Sequence, residues 1–152
     1  MDNDLINLKK LILDRCKSLL NEKLLNAENE MKEAQQAANE VGPPKDRYDP
    51  FRSQMLRRRN LFAEQYQLIV NDMELLNKIN PETLNDEVSF GAVVKTNAHR
   101  LFFAVSIGKI EINNETFFVA STQTPLFEVM KGKKVNESFE FNKNSFQITE
   151  VF

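Results

Sequence analysis

The stretch Val41-Gly42-Pro43-Pro44-Lys45-Asp46-Arg47-Tyr48-Asp49-Pro50 interrupts a helical pattern that otherwise runs over residues 4–79. Gly42 supplies a helix-ending residue, and the two prolines after it cannot continue the helix. On the far side, Asp49 stands where an N-cap belongs. Pro50 then takes the first helical position, where its missing N–H costs nothing. A helix that stops and restarts within so short a loop must reverse, so the spacing predicts two long antiparallel helices joined at a tip over 42–50.

The flanking segments carry the matching periodicity. Upstream, Leu13, Cys16, Leu20, Leu24, Ala27, Met31, Ala34, Ala38 and Val41 follow alternating steps of three and four, the 3.5-residue period of a coiled-coil seam. The seam thins from Leu to Ala toward the loop, which lets two helices approach closely there. Asn3 or Asp4 is the expected cap at the start. Downstream, Met55, Phe62, Tyr66, Ile69, Met73 and Leu76 form the apolar stripe, widened by Leu61, Leu68 and Leu75. At about 1.5 Å per residue, such a hairpin places its tip roughly 45 Å from its base.

Composition divides the chain after that hairpin. Of twelve Phe, only Phe51 and Phe62 precede residue 90, and the second half favours Phe, Val, Ile and Thr, which suit strands. Asn80-Pro81 marks the join, because Pro81 disfavours helical geometry at Asn80. Expected strands are Val88–Lys95, Arg100–Ile107, Glu115–Ala120, Ser138–Phe141 and Phe146–Val151. Asn113-Asn114 and Asn142-Lys143-Asn144 supply turns. Thr124-Pro125 and Gly132 bracket a short helix over Thr124–Lys131. The expected class is therefore α+β, with an antiparallel hairpin over 1–80 and a small antiparallel β domain with one short helix over 81–152.

The 152 residues carry a formal net charge of −2, which by itself indicates no nucleic-acid partner. No apolar run approaches the ~20 residues of a membrane span. Met1-Asp2-Asn3-Asp4 lacks the basic-then-apolar layout of a signal peptide. Cys16 is the single cysteine, which excludes an internal disulfide and fits a reducing compartment. A cytoplasmic protein is expected.

The candidate functional residues cluster at the tip. Asp46 and Asp49 are spaced i, i+3, and residues 43–60 hold six basic side chains (Lys45, Arg47, Arg52, Arg57, Arg58, Arg59) against those two acids. Asp49 has a capping duty, so Asp46 is the freer acid. A solvated helix face accounts for part of this basic set, and contact with phosphate, in RNA or DNA, is the functional expectation for it. Arg58 falls between Met55 and Phe62 in the seam phase and is expected to run its stem past the partner helix. In the second half, Lys131, Lys133 and Lys134 are solvated turn charges or, alternatively, a docking surface. His99 sits alone in the polar turn Thr96–Arg100 with no metal-ligand spacing and is expected to be inert. Cys16 is a small apolar seam residue. The chain contains no phosphate-binding glycine loop, no CxxC pair and no nucleophile elbow.

A coiled-coil hairpin followed by a small β-rich domain resembles the Gre family of bacterial transcript cleavage factors. Those proteins carry a segment like S-P-L-G-x-A-L-L-G-K-x-V-G-D before their closing strands. Here Thr124-Pro-Leu-Phe-Glu-Val-Met-Lys-Gly-Lys-Lys-Val-Asn-Glu137 stands in that place, and Val105-Ser-Ile-Gly-Lys-Ile110 is similar to the family's run into its preceding strands. The resemblance implies an FKBP-like second domain that docks at the rim of the RNA polymerase secondary channel, with the coiled coil entering the channel. It also implies a tip acid pair, within D-x-x-E-N, that helps hold a catalytic magnesium ion and activate water. Asp46-Arg-Tyr-Asp49 reproduces the acidic spacing, with Asp in place of Glu and without the family's N-A-E-Y continuation.

Magnesium often takes only one or two carboxylates from a protein, and two-metal sites split activation of water from stabilisation of the leaving oxygen. Asp46 and Asp49 would therefore complete a site that the polymerase mostly supplies. The implied partners are RNA polymerase and nascent RNA near the tip, with no membrane. The protein is expected to be a monomer with no cofactor of its own, Mg²⁺ being shared with the polymerase, and to have no enzymatic activity alone. A rival reading is a structural adaptor whose hairpin makes only protein contacts. A third is prolyl isomerase activity on an FKBP-like fold, which rests on fold analogy. The absence of Trp, and of Tyr after Tyr66, leaves few aromatics with a polar handle to line such a pocket.

Overall fold

The computed structural model describes residues 2–40 and 50–152. The chain is α+β: two long helices, then a six-stranded, mostly antiparallel sheet with one short helix. It forms two compact units, one of residues 18–74 and one of residues 1–17 with 75–152.

Helix α1 spans Asp2–Glu40 and α2 spans Pro50–Asn77. α1 already includes Asn3 and Asp4, so neither is the expected cap; the acidic side chains of Asp2 and Asp4 in the first turn favour its N-terminus through the helix dipole. Pro50 opens α2, as its fixed φ and absent N–H allow. Within the 18–74 unit, Lys23 faces Asp72 and Glu30 faces Arg58. Partner numbers fall as α1 advances, which makes the pair antiparallel. Leu20, Ala27, Ala34 and Ala38 are buried, while Leu24 and Met31 are half-buried. The alanines occupy the predicted seam positions because a close helix approach leaves no room for larger side chains.

The second stripe is narrower than expected. Leu61, Leu68 and Leu75 are 53%, 65% and 39% exposed and do not widen the seam. Two helices bury one stripe each, and a position seven residues from the next on the outer surface finds no partner in a two-helix pair.

The sheet runs in the order β3-β4-β2-β1-β6-β5, from β1 (Val93–Thr96), β2 (Arg100–Ala104), β3 (Gly108–Ile112), β4 (Glu115–Ser121), β5 (Ser138–Phe141) and β6 (Asn144–Val151). Among the described strands, only β2 and β4 pair in parallel. The hairpin turns Asn113-Asn114 (φ 53°, 65°) and Asn142-Lys143 (φ 51°, 66°) place both central residues in the left-handed region that tight hairpins demand. Asn144 therefore starts β6 and is not part of the turn.

Two expected strands are shorter than predicted. The Arg100–Ile107 run ends at Ala104, and Gly108, at φ 99°, starts a separate strand. The Val88–Lys95 run is extended only from Val93, because Gly91 adopts φ 86°. An added Cβ at Gly91 would stand 3.4 Å from Ile79. Helix α3 (Pro125–Met130) follows its predicted signals: the Thr124 hydroxyl accepts from the Phe127 N–H at 3.3 Å, Pro125 is the first helical residue, and Gly132 turns at φ 77°.

Alternation along the strands gives both faces of the sheet a buried layer. Leu101, Phe103, Phe139 and Ile148 share a cluster with Phe127 and Met130 of α3. Phe102, Phe117 and Val93 are buried as well, out of phase with that cluster along their strands, and Phe152, just past β6, is buried too.

Candidate functional site

The tip residues Lys45, Asp46, Arg47 and Asp49 lie outside the described residues, so the acid pair and its proposed metal have no geometry here. Among the described residues, no group of three or more His, Cys, Asp or Glu is placed to hold a metal ion.

The basic segment of α2 is described, and its arginines have separate roles. Arg58 pairs with Glu30 at 2.6 Å, and its guanidinium lies 5.6 Å from the Phe62 ring centroid. That is the stem-along-the-seam placement its phase predicts. Arg59 donates to Gln35 across the pair and to Asn60 Oδ1 at 3.1 and 2.8 Å. Arg57 is exposed and makes no ion pair among the described residues. Arg52 is half-buried and engaged. Two of the three consecutive arginines thus bind their own scaffold, and Arg57 alone of them points a charge outward.

A second site is built on the sheet. α3 has only six residues and covers part of the face that carries the Phe127 cluster. The rest of that face opens as a cavity of about 490 Å³, lined by Leu101, Phe118, Leu126, Phe139, Phe141 and Phe146 with Thr96, His99, Asn142 and Asn144 at its polar positions. A concave apolar site of this size, with a few polar groups at its edge, can take a small ligand or a partner's side chain. Register explains the wall: Phe139 pairs with Phe146, stacked at 5.4 Å, and Leu101 pairs with Phe118.

His99 belongs to this cavity. Its ring lies 5.8 Å from Phe118 and 5.6 Å from Phe146. The turn that carries it is pinned: Thr96 N–H donates to the His99 carbonyl and His99 N–H to the Thr96 hydroxyl, both at 2.8 Å. Asn97 N–H donates to the Gln147 carbonyl at 3.1 Å, and Gln147 N–H returns to Asn97 Oδ1 at 3.0 Å. Sequence context presents His99 as a lone polar-turn residue; only strand pairing brings an aromatic wall to it. Lys109 Nζ lies 5.4 Å from the Phe118 ring centroid.

Lys131, Lys133 and Lys134 follow α3 but do not line the cavity. Their backbone is fixed: Val88 N–H donates to the Lys133 carbonyl at 2.9 Å, and Lys134 N–H donates to Glu137 Oε2 at 2.8 Å. None of the three ammonium groups forms an ion pair among the described residues. Cys16 is buried, and burial pushes its thiol up to about 12, which removes it as a nucleophile near neutral pH.

No family model and no curated protein matches the chain. Among solved structures, the crystal structure of GreA factor homolog 1 (Gfh1) of Thermus thermophilus is similar at TM-score 0.36 and 13% identity, over 90% of this chain and 94% of that one. A structure of the transcription factor Gfh1 is similar at TM-score 0.34 and 16% identity, over 89% and 92%. No helix among the described residues is long and apolar enough to cross a membrane.

Proposed function

We propose that this protein is a Gre-like transcription elongation factor. Its sheet domain binds RNA polymerase, and its helical hairpin inserts in the secondary channel, where the tip modulates the active site or stimulates transcript cleavage. The observation that supports this reading is a coincidence of two features. The segment 121–141, which carries the sequence resemblance, also walls the Phe cavity through Leu126, Phe139 and Phe141. An open apolar socket at that segment is what an anchoring side chain of a larger partner needs.

In this reading the protein has no catalysis of its own and acts as a monomer. Asp46 and Asp49 share the polymerase's Mg²⁺, Arg47 and Arg52 meet polymerase or nascent RNA, and Lys131, Lys133 and Lys134 add charge at the docking domain. The test is retention on core polymerase at low salt. Ala120→Phe, which fills the socket, should weaken retention by about tenfold. Asp46→Asn and Asp49→Asn should leave retention unchanged and reduce cleavage in backtracked complexes. No retention of the unaltered protein overturns the reading; unchanged cleavage in both tip variants removes the acid-pair mechanism.

One observation favours the adaptor reading: Leu61, Leu68 and Leu75 recur at seven-residue spacing on the exposed side of α2. If that surface is the working one, retention on a protein partner survives neutralisation of the tip and is lost on Leu68→Glu.

A further inference from the structure

Lys9 is 1% exposed, the one buried charged residue among the described residues. Its Nζ donates to the Thr83 carbonyl at 2.7 Å, and that is the only hydrogen bond its side chain makes among the described residues. Among the described residues no carboxylate lies within ion-pair distance of it; the neighbouring Lys10 takes Glu82 at 3.6 Å. An ammonium group carries three donors. A buried cation with one neutral acceptor and no counter-charge carries a desolvation cost that a bound anion would offset.

Beside it is a cavity of about 180 Å³, lined by Lys9, Lys78, Asn80, Thr83, Asn85 and the Gly91 backbone, with Ile79 and Phe90. Two lysines and two amide side chains share this wall, and no carboxylate does. The oxygen of Asn80 already accepts from the Glu82 N–H at 3.0 Å, so its NH₂ is the group left to donate, and Asn85 Nδ2 donates one N–H to the Gly91 carbonyl at 3.5 Å and keeps a second. The volume holds a four-oxygen anion together with some water. All of these residues belong to the unit of residues 1–17 and 75–152.

We infer that this cavity is a binding site for a small oxyanion, of the phosphate or carboxylate class, held by Lys9 from α1, Lys78 in the turn after α2, and the amides of Asn80 and Asn85. The site is independent of the Phe cavity and of any polymerase role. Its occupant ties the start of α1 to the segment that links α2 to the sheet, giving the buried ammonium the counter-ion it lacks.

The test uses the full chain, with inorganic phosphate and acetate as separate probes at neutral pH and low salt. Binding is followed by calorimetry and by amide and lysine-ammonium NMR. Saturable binding is expected, with shifts confined to Lys9, Lys78, Asn80, Thr83, Asn85 and Gly91. Phosphate binding alone assigns a phosphate ligand; binding of both probes assigns a general oxyanion site. Lys9→Met should weaken binding on the order of thirtyfold, and the exposed Lys78→Gln by less, with the fold intact. Should Lys9→Met fail to fold, Lys78→Gln and the Lys9 ammonium resonance of the unaltered protein decide. No saturable binding overturns the inference, as do shifts spread over Lys131, Lys133 and Lys134, or binding unchanged in Lys78→Gln.

Discussion

Arg58 of α2 and Glu30 of α1 close a 2.6 Å ion pair while the same guanidinium lies 5.6 Å from the Phe62 ring. Both side chains are partly exposed, so the charge pair contributes only about 0.2–1 kcal/mol. The stem and ring contact add to that. Arg58→Ala should lower stability in urea unfolding by about 1 kcal/mol. Arg58→Lys should recover only part, because it keeps the charge and loses the planar fork. An unchanged midpoint in Arg58→Ala would show that the contact has no net weight.

Burial pushes Lys9 down to about 8 from an ordinary 10.5. The unfolded chain then binds the extra proton between about 8 and 10.5, so stability should rise with pH in that window. Below about 8 both states are protonated and the full penalty of burying the charge is present. Cys16 acts in the opposite sense: its thiol moves up from 9.0 to about 12, so its contribution is lost as pH climbs above 9.0. The two together predict a stability gain from pH 8 to 9 that then levels off. Urea midpoints across that range check it. Lys9→Met should abolish the rise, and a rise that persists in that variant would assign it to another group.

Leu20 and Leu68 separate the two sides of the hairpin. Leu20 is 2% exposed and Leu68 is 65%. Leu20→Ala should cost about 2–5 kcal/mol, and Leu68→Ala within about 0.5 kcal/mol. Thermal unfolding of both variants measures the difference. Equal costs would mean that the outer stripe is covered in solution.

Phe139 and Phe146 stack at 5.4 Å, yet they differ in burial: Phe139 is in the core and Phe146 is half-buried on the cavity wall. Phe139→Ala should cost about 3–5 kcal/mol. Phe146→Ala should cost less and should sharply reduce binding of an apolar fluorescent probe to the native protein. Probe binding that is insensitive to Phe146→Ala would place it elsewhere than in this cavity.

Local chemistry made much of this architecture legible. Thr124-Pro125 and Gly132 are signals with fixed stereochemical meaning, and α3 lies where they place it. Asn113-Asn114 and Asn142-Lys143 tolerate positive φ, and both hairpins turn there. The seam alanines pack because a short repeat of small residues suits close helices. The strand run at 88–95 failed at Gly91, where a positive φ breaks a pattern that apolar content alone continues, and the run at 100–107 stopped at Ala104, where the chain bends at Val105-Ser106.

The sequence by itself determined the helix reversal, the change from helix to sheet after Asn80-Pro81, and the turns that shape the hairpins, since each depends on residues that are neighbours in the chain. Only the tertiary structure decided which leucines of α2 are covered, that His99 meets Phe118 and Phe146, and that Lys9 is buried against Thr83. Those depend on pairings between distant segments, β2 with β4, β5 with β6, and residue 9 with residue 83. Burial and electrostatic cost arise from what surrounds a side chain, which no local window of sequence contains.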